Sequence, residues 1–164
     1  MPKRPATLEE RVRVLEDIEA IRALKARYCA ACDDDHNEAK LGPLFAEDAT
    51  WEATTNGRAE GRAAIQKLLG DVGRSGRIRN SAHHAINPII EVDGDRATGH
   101  WRLIMLYTAN VKGGGREWLR IIGFYRETYV RVAGEWLFQS LACSVEEHAP
   151  YALAPQASGI GERA

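Results

Sequence analysis

Apolar residues recur every three or four positions near the start of the chain: Leu8, Val12, Leu15, Ile18, Ile21, Leu24 and Tyr28. That spacing puts them on one helical face, so it predicts a helix over 7–32 with this stripe buried. Thr7-Leu8-Glu9-Glu10 has the Thr-x-x-Glu spacing of a capping box, in which side chains satisfy free amides of the first turn. Arg11, Arg13, Glu16 and Lys25 fall on the opposite face. The pattern breaks at Asp33-Asp34-Asp35-His36-Asn37. A short helix is predicted over 38–46, bent by Gly42-Pro43. A strand over 49–54 centred on Trp51 comes next, then a turn at Asn56-Gly57 and a helix over 62–69 ended by Gly70.

From Ser81 onward the pattern is that of strands. Four long ones are predicted, over 81–92, 96–109, 117–132 and 135–147. The turns between them are Asp93-Gly94-Asp95, Gly113-Gly114-Gly115 and Ala133-Gly134. Tight turns between long strands make an antiparallel meander. Helices come first and the sheet comes after, so the fold class is α+β. The 164 residues fit one domain, 1–164, with a core over about 7–148 and a weakly patterned tail over 149–164.

The net charge is −1 with both signs interspersed, which gives no electrostatic footprint for nucleic acid or a membrane surface. Arg74, Arg77 and Arg79 form the one basic cluster, but they lack the aromatic platforms of single-strand binders. The sequence after Met1 has no apolar leader, and there is no span of twenty apolar residues. With three cysteines and no disulfide framework, a cytoplasmic protein is expected. Cys29 and Cys32 read as small buried residues, because no further ligands stand at zinc-site spacing. The three glycines at 113–115 are not followed by the lysine and helix of a phosphate loop. Neither a metal nor a cofactor is therefore expected.

The candidate chemistry lies in two segments. Asp33 ends the first predicted helix, and His83 and His84 lie on the first long strand. A carboxylate that orients an imidazole raises its basicity and gives a general base near neutral pH. Adjacent strand residues point to opposite faces, so only one of the two histidines can enter a pocket, and the pair cannot share a metal. Read alone, Asp33 is equally a helix terminator and His83 a structural histidine. Tyr28 is either a core aromatic or a hydrogen-bond donor aimed into a pocket. Trp51, Trp101 and Tyr107 are candidate pocket walls with core packing as the alternative. The facing of Trp101 depends on hairpin register at 93–95, where a one-residue slip reverses it.

Several local motifs occur in a fixed order: Asp17-Ile18-Glu19-Ala20-Ile21-Arg22, Tyr28 with Asp33, and Leu44-Phe45-Ala46-Glu47-Asp48-Ala49. They continue with Trp51, His83 followed by Asn87, Asp93-Gly94-Asp95-Arg96-Ala97, and Gly123-Phe124-Tyr125 before Gly134-Glu135-Trp136. In order and spacing, residues 7–148 resemble the SnoaL-like branch of the nuclear-transport-factor-two superfamily. The resemblance implies a strongly curved sheet wrapped with helices into a cone around one small-molecule pocket. Bile-acid dehydratase, scytalone dehydratase and a cyclohexane dehydrochlorinase are members with this pattern, and polyketide cyclases and ketosteroid isomerase are more distant.

The same resemblance implies roles for particular residues. Asp33 and His83 fall on a catalytic dyad, with His83 chosen over His84 by its step to Asn87. Tyr28 falls on a pocket tyrosine. Cys143 falls where the bile-acid enzyme has an arginine, which argues against the same thioester or carboxylate substrate. The activity that the resemblance implies is a cofactor-independent dehydratase acting on a small hydrophobic ring compound such as a steroid, polyketide or terpenoid. Alternatives are a ketosteroid-type isomerase, a non-catalytic dioxygenase small subunit and a hydrophobic-ligand binding protein. A homo-oligomer is expected, a trimer first and a dimer next.

Overall fold

A computed structural model describes residues 7–110 and 114–151. Helix α1 spans Leu8–Asp33, α2 Glu38–Leu41 and a 3-10 turn Gly42–Leu44. Strands β1 (Phe45–Ala53) and β2 (Gly57–Glu60) precede α3 (Arg62–Arg74). The long strands are β3 (Arg79–Asp93), β4 (Arg96–Asn110), β5 (Arg116–Val132) and β6 (Glu135–Pro150). One six-stranded sheet runs in the order β2-β1-β6-β5-β4-β3. The β3–β6 meander is antiparallel, as the sequence predicts, while β1 joins β6 in parallel and makes the sheet mixed. The helices pack on this sheet in a cystatin-like α+β cone.

The structure differs from the sequence pattern at several points. Strand β2 is absent from the pattern, since its four residues carry no apolar alternation. β1 begins at Phe45, inside the predicted short helix, because the chain turns at Gly42-Pro43 and leaves the helix. Helix α3 runs through Gly70 to Arg74. Glycine there serves close approach: a Cβ on Gly70 would fall 1.9 Å from the Glu38 carboxylate. The tail at 152–164 and the turn residues 111–113 lie outside the described residues.

The predicted buried stripe of α1 holds only in its second half. Ile21, Leu24 and Tyr28 are buried, but Leu8 is 73% and Leu15 65% exposed. The capping box forms at both bonds, so the first turns have local support, and among the described residues no buried cluster includes them.

Along β4 the inward residues are Trp101, Leu103, Met105 and Tyr107, in register with Tyr125, Gly123, Ile121 and Leu119 of β5. Where α1 crosses this face, a polar chain is buried among aromatic rings. Lys25, which the sequence pattern places opposite the buried stripe, turns in with it and pairs with Glu127 at 2.5 Å, with both side chains no more than 1% exposed. The Lys25 ammonium sits 3.2 Å from the Tyr125 ring centroid. Glu127 also accepts from the Tyr129 hydroxyl, which in turn accepts from the Trp101 indole at 3.0 Å. Asp17 fixes the same helix to the sheet by accepting from Arg131 and Trp136. Each buried charge therefore meets both an opposite charge and hydrogen-bond partners, the condition under which such burial is tolerated.

Removing one partner leaves the other uncompensated. Lys25→Met is expected to cost about 3–5 kcal/mol in denaturant unfolding. A loss below about 1 kcal/mol would mean that the pair is not dry.

Candidate active site

One end of the cone is filled, and the other opens as a cavity of about 490 Å³. That size accommodates a drug-sized ligand. Its walls are mostly apolar, including Leu69, Leu103, Met105, Ile121 and Val145. Of its polar lining, Tyr28, His36 and His83 stand near the end of α1, while Asn56, Arg77 and His148 line it elsewhere.

Two bulges shape β3. The register shifts between Arg79 and Ala82 and again between Ile86 and Ile89. Asn80 and Asn87 adopt left-handed φ values of 50° and 51° there, a conformation asparagine tolerates better than most residues. Asn80 is tied across to the Thr108 hydroxyl of β4 at 3.1 Å. Bulges bend a strand and re-aim its side chains. Between these two, His83 lies opposite Met105 and turns inward, while His84 lies opposite Ile104 on the outer face. The parity argument thus places one histidine in the cavity.

Asp33, the last residue of α1, receives the strand. Its carboxylate accepts from the Ser81 hydroxyl at 2.8 Å and from the His83 backbone amide at 3.0 Å. Nδ1 of His83 lies 2.6 Å away. Burial alone would raise the Asp33 pKa. The His83 ring and amide, together with Ser81, outweigh it and hold the carboxyl below its usual range. A carboxylate only accepts, so Nδ1 carries the proton of the bond and the free lone pair of a neutral His83 is at Nε2. The His83 side chain is 7% exposed and lines the cavity.

Tyr28 lies one helical turn before Cys32, and both line the cavity. The Tyr28 hydroxyl accepts from the Trp51 indole at 3.0 Å and keeps its own proton, with the Cys32 thiol as its hydrogen-bonding neighbour. Burial pushes its pKa well up, so it remains a phenol. Trp51, Tyr107 and Cys143 line the cavity as well. Trp101 does not: it points inward but lies beyond the cavity, bonded to Tyr129 in the filled end.

Three further residues stand at the site: the sequence does not single out Ser81 or His36, and it leaves His148 open between an outer salt-bridge partner and a pocket-mouth residue. Ser81 shares a strand face with His83 at a two-residue step, a signal that could have singled it out. His148 lines the cavity and is bonded to the Tyr107 hydroxyl at 2.8 Å. His36 lies in a run that is polar in composition, yet it is only 6% exposed. Left-handed φ values at Asp35 and His36 fold the turn back, and His36 meets the His83 ring edge to face at 6.1 Å. Burial, then the neighbouring His83, lowers the His36 pKa to about 4, so its ring is neutral at pH 7. Cys32, His36 and His83 bring one ligand-type atom each to within 4.8 Å of one another.

The SnoaL-like domain profile matches residues 13–142. The chain belongs to the SnoaL-like family. No curated protein sequence matches it. Among solved structures, the hexachlorocyclohexane dehydrochlorinase LinA-type3 of Novosphingobium barchaimii is 24% identical with a TM-score of 0.75, covering 87% of this chain and 95% of that one. A candidate scytalone dehydratase of Novosphingobium aromaticivorans is 26% identical with a TM-score of 0.72, covering 92% and 97%. An NTF2-like protein with a cystatin-like fold from the latter organism is 28% identical with a TM-score of 0.66, covering 85% and 88%. No helix among the described residues is long and apolar enough to cross a membrane.

The site depends on a close contact beneath it. A Cβ on Gly73 of α3 would fall 2.0 Å from the Asp35 carbonyl oxygen, so α3 packs directly on the turn that carries Asp33 and His36. Gly73→Ala must push that turn away and is expected to cost about 1–3 kcal/mol, the usual range for overpacking. Thermal unfolding measures this, and an unchanged Tm would show that the turn yields freely.

Proposed function

We propose that this SnoaL-like protein is an acid–base lyase that eliminates water from a small hydrophobic ring compound. The observation that carries this reading is the Asp33 carboxylate 2.6 Å from Nδ1 of His83 at the wall of a largely apolar cavity. Nε2 of His83 would take a proton from carbon next to a carbonyl. The electron pair left behind forms the new double bond as the neighbouring hydroxyl departs. His83 returns the proton to that hydroxyl, which leaves as water. Asp33 keeps the imidazole oriented and stabilises its charged form between the two transfers. The Tyr28 hydroxyl donates toward the carbonyl oxygen as charge develops there. The apolar walls, with Trp51 and Tyr107, suit a flat hydrophobic substrate and exclude water. This chemistry uses only groups that the chain carries. Likeness to a dehydrochlorinase and a candidate dehydratase agrees with elimination over isomerisation.

Self-association fits the same reading. Ile86, Ile104 and Trp118 are exposed on the outward face of the meander and offer an apolar surface to further copies of the chain.

A panel of β-hydroxy ring ketones, including steroids, tests the activity. Asp33→Ala and His83→Ala are each expected to lower turnover by about 10²–10⁴-fold, the usual contribution of a positioned base, with the fold intact by circular dichroism. Full activity in either variant on a substrate turned over by wild type would overturn the proposal.

A further inference from the structure

The proposed mechanism leaves two buried groups at the cavity unused, Cys32 and His36. Cys32 is 1% and His36 6% exposed, and both line the cavity beside His83. Among the described residues, neither ring nitrogen of His36 has a hydrogen-bond partner. His36 is a neutral imidazole open to the cavity, and beside it stand a thiol and a second imidazole, so three lone-pair donors converge there.

We infer that Cys32, His36 and His83 form a binding site for a borderline-soft divalent cation of the Zn²⁺ class. One ligand atom from each residue already lies within 4.8 Å of the others. Ligands at about 2.0–2.3 Å from one Zn²⁺ ion stand roughly 3.5 Å apart, so closure takes side-chain shifts of about 1 Å. One sulfur and two imidazole nitrogens suit Zn²⁺ or Co²⁺, whereas Mg²⁺ and Ca²⁺ prefer all-oxygen sets. Nδ1 of His83 is held by Asp33, which leaves Nε2 to coordinate. Asp33 then serves as the carboxylate partner that zinc-bound histidines generally have. Charge closes as well. The Cys32 thiol loses its proton to solvent as the sulfur takes the cation, and the thiolate with the Asp33 carboxylate balances two positive charges.

Coordination occupies the lone pair that the proposed reaction uses, so cation binding and base catalysis exclude each other. The inhibition rests on the proposed function; the binding does not.

Titration of the reduced, full chain with Co²⁺ tests the site without substrate. Wild type is expected to develop a thiolate-to-cobalt charge-transfer band and intense visible bands of four-coordinate cobalt, both abolished by stoichiometric Zn²⁺. The charge-transfer band should vanish in Cys32→Ala and persist in Cys29→Ala and Cys143→Ala. His36→Ala, an independent variant should Cys32→Ala fail to fold, should weaken binding at least 100-fold. Asp33→Asn should weaken it about 10–100-fold. Absence of the band in wild type, or its survival in folded Cys32→Ala, would overturn the inference and leave the base assignment standing. Cobalt binding as described, with turnover indifferent to saturating Zn²⁺, would keep the site and remove His83 as the base.

Discussion

The Asp33 carboxylate is the junction on which the site depends. It ends α1, and it accepts from a hydroxyl, an amide and a ring nitrogen, all supplied by Ser81 and His83 of β3. One side chain therefore fixes three things: where the helix meets the strand, the tautomer of the imidazole, and the local charge. The clamp works because β3 is bulged on both sides of it, at Asn80 and Asn87. A regular strand would keep its ladder with β4 throughout and would lack this local bend.

The two ends of the cone divide stability from chemistry. In the filled end, Lys25, Glu127, Tyr129 and Trp101 satisfy one another without solvent. In the open end, Tyr28 and His83 each have one hydrogen-bonding function fixed by the protein. Trp51 donates to the Tyr28 oxygen, so the phenol proton is not used in that bond and has the Cys32 thiol as its neighbour. Asp33 holds Nδ1 of His83, which frees Nε2. Tyr107 and His148, bonded to each other, line the same cavity away from Asp33. Helix α1 spans both regimes, with Lys25 in the first and Tyr28, Cys32 and Asp33 in the second.

Much of this is legible in the sequence, for identifiable reasons. The meander can be read because its strands are long and their turns carry Asp-Gly or Ala-Gly. The choice between His83 and His84 comes from strand parity together with the family step to Asn87. Depth along the cone is not legible. Trp101 and Tyr107 share a strand face, yet one packs against the buried polar chain and the other lines the cavity. Periodicity gives the face of a residue but not which end of that face a helix covers. The same gap explains Leu8 and Leu15, which match the apolar stripe of α1 but lie beyond the sheet that would bury them. His36 is hidden differently. Its run is polar in composition, and only two left-handed residues and a glycine contact from α3 fold it inward.

Asp33 holds the proton of His83 on Nδ1 and leaves Nε2 free toward the cavity. Imidazole nitrogen NMR at a pH where His83 is neutral tests it most directly, since the two ring nitrogens report the tautomer separately. Wild type is predicted to show protonated Nδ1 and bare Nε2, and Asp33→Ala is predicted to shift the population toward protonated Nε2. Protonated Nε2 in wild type, or a tautomer indifferent to Asp33, would contradict the account.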